Sequence, residues 1–445
     1  MGILKVDLAE FKQNHRKYCH AARANGDILE LEYPGGELGM YVVTTHRGVN
    51  EVLKNDCGHF VHFADYFAAL ENKSEVDQQI GEIFARNLGN NDPIHLELRK
   101  DIRTHFNGAG LDQHITFMQD CISELIEHLR KTASANNGVI DLVADFCEPL
   151  AFLVTSHIIG LDFATEEDKV ERAKQAGEAI KLINLLASDE DKRAALSQQQ
   201  ALCEFILPQL QAHAEDKNNQ LRADCLLHDF GEKLRTGDAE KLQNYVEMVN
   251  GLFQAGLGAV GSFLALCMHL ILVGDENNTP QALQQYYFDP ARSDEEKREA
   301  IAEFIRLEQG KLSGLIPRYV TDDSTLMGAP MRRNSLIYMN FAAANYDEAA
   351  FETPLKFKAG RAILPKGLSK EQIAERRQKR LEKNVSFSYG EHMCPGRRIS
   401  LTMIRYALDG LFEAFPNIES KELNAFSEVM GKPATVISYD IDLNI

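Results

Sequence analysis

The sequence predicts a mainly helical α+β fold in which residues 1–445 form a single domain. Three observations carry this. Helical periodicity dominates from about Pro93 onward. The apolar run Gly251 to Val273 calls for a core around it. The extended stretches are short and lie toward the two ends of the chain. With 445 residues and 44% hydrophobic content the chain can bury a sizeable core, and with no Trp it must fill that core with Phe, Leu, Ile and Met.

Taken in order, "DILELEY" and "GMYVVTT" are β-rich runs separated by the turn cluster "PGGEL", and "RGVNEVLKN" reads as a helix. "DLVADFCEPLAFLVTSHIIGLDF" repeats apolar residues at i, i+3, i+4 and i+7, the pattern of a core helix. Residues 166–216 are charged, with Ile180, Leu182, Ile183, Leu185 and Leu186 between the charges, which predicts exposed amphipathic helices. The run at 251–273 is long enough to span a bilayer, but it is Gly- and Ala-rich and mid-chain, and is expected to be a helix buried on all sides. A helix follows at 296–308. "RYVTDD", "NSLIYMNF" and "ATVISYDIDLNI" are short strands, and "RRISLTMIRYALDGLFEAF" is a helix.

The formal net charge of −18 argues against a nucleic-acid partner, which needs a basic surface, and against an anionic membrane. The cysteines form no CxxC pair, so a zinc site built on them is not expected, and their spacing suggests no disulfide framework. Residues 1–20 lack an apolar core and an arginine-rich transit pattern, so a reducing cytoplasm is the expected location.

Chemistry concentrates in Phe387-Ser-Tyr-Gly390-Glu-His392-Met-Cys394-Pro-Gly396. This stretch resembles the heme loop F-x-x-G-x-x-x-C-x-G of the cytochrome P450 superfamily at every fixed position. The resemblance extends over roughly residues 30 to 445 and is nearest to the soluble bacterial type. It implies a helical bundle around heme b (iron protoporphyrin IX) with small peripheral sheets, and Cys394 as the axial ligand of the iron. The residue types suit that role. A thiolate just before a strong helix pattern meets backbone N–H groups and the positive end of the helix dipole. Pro395 suits a first helical position. Gly390 and Gly396 permit a tight turn and close approach to the porphyrin, and Phe387 can shield the sulfur from water.

Other segments match family positions. Glu303-Phe-Ile-Arg306 resembles the E-x-x-R pair that clamps the loop before the cysteine. Its usual third member, an Arg, is matched by Lys356 in "FETPLKF"; lysine lacks the planar fork, so a looser clamp is expected. His95 and Arg99, spaced i,i+4 on one helical face, resemble the H-x-x-x-R helix, and Arg318 and His392 match two further positions that bind heme propionates. "NFAAANYDEAAF" resembles the A-N-R-D segment, with Tyr346 in place of Arg.

One departure bears on mechanism. The family's A-G-x-[D/E]-T, which relays protons to bound dioxygen, corresponds here to Ala255-Gly256-Leu257-Gly258-Ala259, so Gly258 and Ala259 replace the acid and the alcohol. Neither side chain transfers a proton. Ordered water, a hydroxyl on the substrate, or peroxide as oxidant would each remove the need for the pair. A register with Ser262 as the alcohol would break the downstream match.

Residues 366–383 carry Lys366, Lys370, Arg376, Arg377, Lys379, Arg380 and Lys383 against Glu371, Glu375 and Glu382, a local +4 in an acidic chain. By resemblance this is the proximal side, where a ferredoxin or flavodoxin-like donor would be steered by charge. The reading implied for the chain is a monooxygenase-type oxidoreductase of secondary metabolism acting on a small lipophilic or aromatic organic substrate. The alternative is non-hydroxylating oxidation, such as phenol coupling or peroxide-driven chemistry. The resemblance gives Phe60, Phe63, Tyr66, Phe67, Leu257, Leu315 and Ile316 as the substrate lining.

Overall fold

Strands from opposite ends of the chain meet in one six-stranded mixed sheet, in the order Leu4–Asp7, Ile28–Glu32, Met40–Val43, Ser335–Asn340, Leu315–Val320 and Phe60–Val61. The structure, a computed structural model, describes all residues except 1–2, 26, 33–38, 56–57, 71–72, 91–92, 186, 219, 310–314, 359–368 and 427–434. The turn cluster "PGGEL" therefore lies outside the described residues. The described residues are mainly helical, and the chain divides into two compact units.

The sheet belongs to the first unit, residues 1–62, 266–394 and 425–434. Met40–Val43 runs parallel to Ser335–Asn340, with Val42 opposite Tyr338, and Leu315–Val320 runs antiparallel to the other side of Ser335–Asn340. Both central strands are buried at every position, which is why they read as continuous apolar runs rather than alternating ones. Thr45 caps the helix His46–Lys54 by accepting from Gly48 N–H. Ser293 and Glu296 form a capping box that starts the helix Asp294–Glu308. The strand Leu4–Asp7 and the helix Leu8–Asn25 were not expected. Their apolar positions are sparse, and burial rests on Val6, Phe11, Cys19 and Ala22.

The second unit comprises residues 63–265, 395–424 and 435–445. Its helices include Phe63–Ala69, Glu75–Ala85, Ile94–Phe106, Ile115–Ala135, Glu148–Ile159, Glu166–Ala179, Asp189–Glu215, Leu226–Thr236 and Arg397–Ala414. A short sheet pairs Val139–Asp141 antiparallel with Thr435–Asp442. The long helix Leu242–Val273 begins before the apolar run that announced it, because Tyr245, Val246 and Val249 already face the core. By length and composition it is the one described helix that could cross a bilayer. The expectation of burial on all sides holds for Leu264 to Ile271 apart from half-buried His269 and fails in the middle, where Ala255, Gly258 and Ala259 are exposed along one face. These positions carry at most a methyl group, so no side chain of their own covers that face.

Candidate active site around Cys394

The loop before Cys394 is held by its own backbone. Asn384 accepts from Ser386 N–H at 3.1 Å and caps the turn Val385–Phe387. Ser388 (φ +62°) and Gly390 (φ +76°) then take left-handed conformations. A Cβ at Gly390 would stand 3.0 Å from Leu53 O, so close approach and positive φ both call for glycine. Cys394 N–H donates to Phe387 O at 2.8 Å and closes the loop. Cys394 is a half-buried thiol outside any disulfide, whereas Cys19, Cys121, Cys147, Cys225 and Cys267 are buried. Burial pushes the Cys121 thiol up to about 11 and that of Cys203 up to about 12, so both stay protonated and inert. One expectation is corrected. The following helix starts at Arg397 with Gly396 as its cap residue, so Cys394 precedes the cap and Pro395 is not in the first turn.

The clamp behind this loop is buried. Arg306, 0% exposed, donates Nε–H and Nη2–H to the two carboxylate oxygens of Glu303, both at 2.8 Å. Its Nη1–H donates to Asn345 O at 2.8 Å. The Asn345 amide donates to Gln309 Oε1 and Ser386 Oγ and its oxygen accepts from Val385 N–H, which ties the clamp to the loop leading to Cys394. Asn345, part of "NFAAANYDE", thus supplies the third buried contact. Lys356, assigned that place from the sequence, lies exposed beyond Phe351. The expected looseness does not arise, because a backbone carbonyl completes the Arg306 fork.

Arg318, in the first unit, is 5% exposed, and its one hydrogen bond among the described residues goes to the carbonyl of Pro317, 2.9 Å away. Burial lowers its pKa to about 10, offset in part by the charge of Glu391. A buried guanidinium without a carboxylate in ion-pair range, among the described residues, is a ready anion site. His392 is half-buried and stacks on His62, ring centroids 4.3 Å apart. His62 escaped the sequence reading because a lone histidine carries no signal. In the second unit, His95 is 2% exposed on the helix Ile94–Phe106, with half-buried Arg99 one turn later on the same face.

The exposed face Ala255–Gly258–Ala259 adjoins a chain of oriented amides, all within the second unit. A Cβ placed on Gly258 would meet no described atom within 4 Å. Asn250 Nδ2–H donates to the backbone carbonyl of Gln199 at 3.1 Å. A carbonyl only accepts, so Asn250 Oδ1 must face the other way, and there it accepts from Gln254 Nε2 at 2.7 Å. Gln254 Nε2 also donates to Gln199 Oε1 at 2.5 Å, and Gln199 Nε2 donates to Glu247 Oε2 at 2.7 Å. Glu247 is 4% exposed; burial raises its pKa, against the amide donors that favour its charge. Both N–H groups of Gln254 are thereby committed, and Gln254 Oε1 accepts from no described residue. Sequence reasoning passed over Gln199, Glu247 and Gln254; Glu247, Asn250 and Gln254 share one stripe of the helix Leu242–Val273, but Gln199, which joins them, lies on another helix.

The aromatic lining needs correction. Phe60 is 3% exposed within a core cluster with Tyr41, Val320 and Ile337, so it has no surface to offer a ligand. Phe67 (2%) and Tyr66 (6%) are likewise buried, Phe67 stacked on Phe84. Phe63, Leu257 and Leu315 are half-buried and Ile316 is 37% exposed, which leaves these four with accessible apolar surface.

The basic segment is a helix over Lys370–Lys383. Lys366 lies outside the described residues, as do the side chains of Arg377, Arg380 and Glu382. A surface cavity of about 580 Å³ is walled by Arg47, Lys54, Lys379 and Lys383, with Glu51 and Asp347 as its acidic members.

Comparison with known proteins gives a consistent likeness. The cytochrome P450 family profile matches residues 298–431, which include the clamp and the cysteine loop. Over those residues the chain is similar to the cytochrome P450 superfamily. The Bacillus subtilis biotin biosynthesis cytochrome P450 is 22% identical over 92% of this chain and 91% of its own length. The 6-deoxyerythronolide B hydroxylase of Saccharopolyspora erythraea is 22% identical over 76% of this chain and 73% of its own. Among solved structures, P450BioI in complex with an acyl carrier protein ligated to hexadec-9Z-enoic acid shares the fold, with TM-score 0.77 and 17% identity over 98% of this chain and 100% of that one. The protein is an oxidoreductase, and the cofactor that the likeness implies is heme. Within the first unit the residues present fit such a group: an accessible thiol on a pinned loop and a buried guanidinium that, among the described residues, has no carboxylate in ion-pair range.

Proposed function

We propose that this P450 oxidises a small lipophilic or aromatic organic compound bearing a hydroxyl or N–H group, in secondary metabolism, with monooxygenation as the reaction. Cys394, with Arg318, His392, His95 and Arg99 from the family resemblance, would hold heme b, which would supply the activation of dioxygen or peroxide. Phe387 and Gly390 shape the loop that presents the sulfur, and Glu303, Arg306 and Asn345 keep that loop fixed. The observation that carries the substrate reading is the free carbonyl of Gln254. The amide chain back to Glu247 fixes its direction, and it sits one helical turn, about 6 Å of rise, before Gly258. An acceptor held in a fixed direction favours a ligand that brings a donor over one that does not. Phe63, Leu257, Leu315 and Ile316 supply apolar surface for the rest of the molecule.

A second reading rests on Gly258 and Ala259. With no acid or alcohol at those two positions, a hydroxyl on the substrate is a candidate proton source, which suits phenol coupling or another non-hydroxylating oxidation as well as hydroxylation. Electrons would arrive from an acidic ferredoxin or flavodoxin-like donor steered to Lys370–Lys383 and the neighbouring Arg47 and Lys54, in the cytoplasm. The test is a ligand panel of matched pairs differing by one hydroxyl, read by the substrate-induced shift of the heme spectrum. Tighter binding of the hydroxylated member across the panel supports the reading; equal binding overturns it.

A further inference from the structure

Away from the cysteine loop, the second unit holds a polar cluster that the oxidation chemistry does not use. His114, at the start of the helix Ile115–Ala135, His157, on the helix Glu148–Ile159, and Asp224 each present a ligand atom within 4.8 Å of the others. His114 is 1% exposed and its Nδ1 has no hydrogen-bond partner among the described residues. Burial lowers the pKa of both imidazoles to about 4, so both are neutral at physiological pH, the form that ligates metals. Phe117 stacks on His157 with centroids 3.6 Å apart and fixes the ring.

The cluster already attracts a cation. Arg222 Nη1–H donates to His157 Nδ1 at 2.7 Å, and its Nε lies 3.0 Å from Asp224 Oδ1. The Arg222 side chain is 37% exposed, and its Nη2–H also donates to His157 O. A cavity of about 570 Å³ lined by His105, Gln113, Asp224 and Asp229 reaches the cluster at Asp224. His105, bonded through Nε2 to Asp229 Oδ2 at 2.9 Å, adds a carboxylate–histidine pair on the same wall, its ring 5.9 Å from that of His114.

We propose that His114, His157 and Asp224 form a binding site for a zinc-class divalent transition metal ion, with the Arg222 guanidinium as its built-in competitor. Two neutral imidazoles and one carboxylate are borderline-soft donors that suit zinc rather than calcium or magnesium. Three protein ligands leave a position for water. The ion takes the place of the guanidinium, so removing that guanidinium favours it, a sign that a purely structural ion-pair cluster would not show.

The experiment is calorimetric titration of Zn²⁺ into the heme-loaded full chain and its variants. The expected result is one site whose affinity falls by about tenfold or more in Asp224→Asn and His114→Ala and rises by a similar factor in Arg222→Ala. Asp224 is 44% exposed, so Asp224→Asn and Arg222→Ala carry the test if His114→Ala does not fold. Zn²⁺ affinity that is unchanged in Asp224→Asn, meaning an adventitious ion only, overturns the proposal. So does an Arg222→Ala variant that binds no tighter than the parent chain.

Discussion

Gln254 and Gln199 are joined amide to amide, Nε2 to Oε1 at 2.5 Å, and the direction of that bond is set by a backbone carbonyl rather than by either side chain. Because Asn250 must donate to Gln199 O, Gln254 must spend both of its N–H groups on Asn250 and Gln199. The carbonyl it has left faces no described donor.

Replacing Gln254 by Leu removes that acceptor. Ligands with a hydroxyl should lose affinity by about threefold to tenfold, the worth of one hydrogen bond, while their hydroxyl-free partners change little. The difference between the two, measured by spectral titration, is insulated from any general loss of stability. Equal losses for both would show that Gln254 does not face the ligand.

The clamp should behave as a buried ion pair. Arg306→Ala removes the guanidinium that binds both carboxylate oxygens of buried Glu303 and should destabilise the chain by about 3–5 kcal/mol, measured by chemical denaturation. Heme content after purification should fall with it, because Asn345 links the clamp to Val385 and Ser386. Lys356→Ala, at an exposed position, should change stability by less than about 0.5 kcal/mol.

Proton supply is tested at Ala259. With Gly258 beside it, turnover on a hydroxyl-free substrate should be poorly coupled and release peroxide, and a substrate hydroxyl should raise product formed per electron consumed. Ala259→Thr should raise coupling on hydroxyl-free substrates, since Ala259 is exposed and has room for the larger side chain. Tight coupling of the parent chain on a hydroxyl-free substrate would show that water alone replaces the pair.

Electron delivery is tested by charge reversal at Arg376, Lys379 and Lys383, all exposed. Reduction by an acidic ferredoxin should slow, and the deficit should shrink as salt rises. Rates that are equal across variants and ionic strengths would remove the docking assignment.

The cysteine loop and the clamp pair were legible because their chemistry fixes residue types at fixed spacing: a thiol with glycines at set distances, an acid and a base one turn apart. The central strands were legible as apolar runs, and the helices around Leu150, Leu266 and Ile404 as periodic ones. What escaped depends on contacts far apart in sequence. Asn345 reaches Arg306, Ser386 and Val385 only through the fold. Phe60 looked like a ligand contact but is claimed by the sheet core. Lys356 followed the family pattern in position and not in burial. The amide chain from Glu247 to Gln254 joins two helices, so no single stretch of sequence displays it.

The central claim is that Cys394 binds heme iron as a thiolate. The direct test is the carbon monoxide difference spectrum of the reduced protein, for the parent chain and Cys394→Ala. The account predicts the red-shifted Soret band typical of thiolate-ligated heme in the parent and its loss in the variant. The same band persisting unchanged in Cys394→Ala would contradict it.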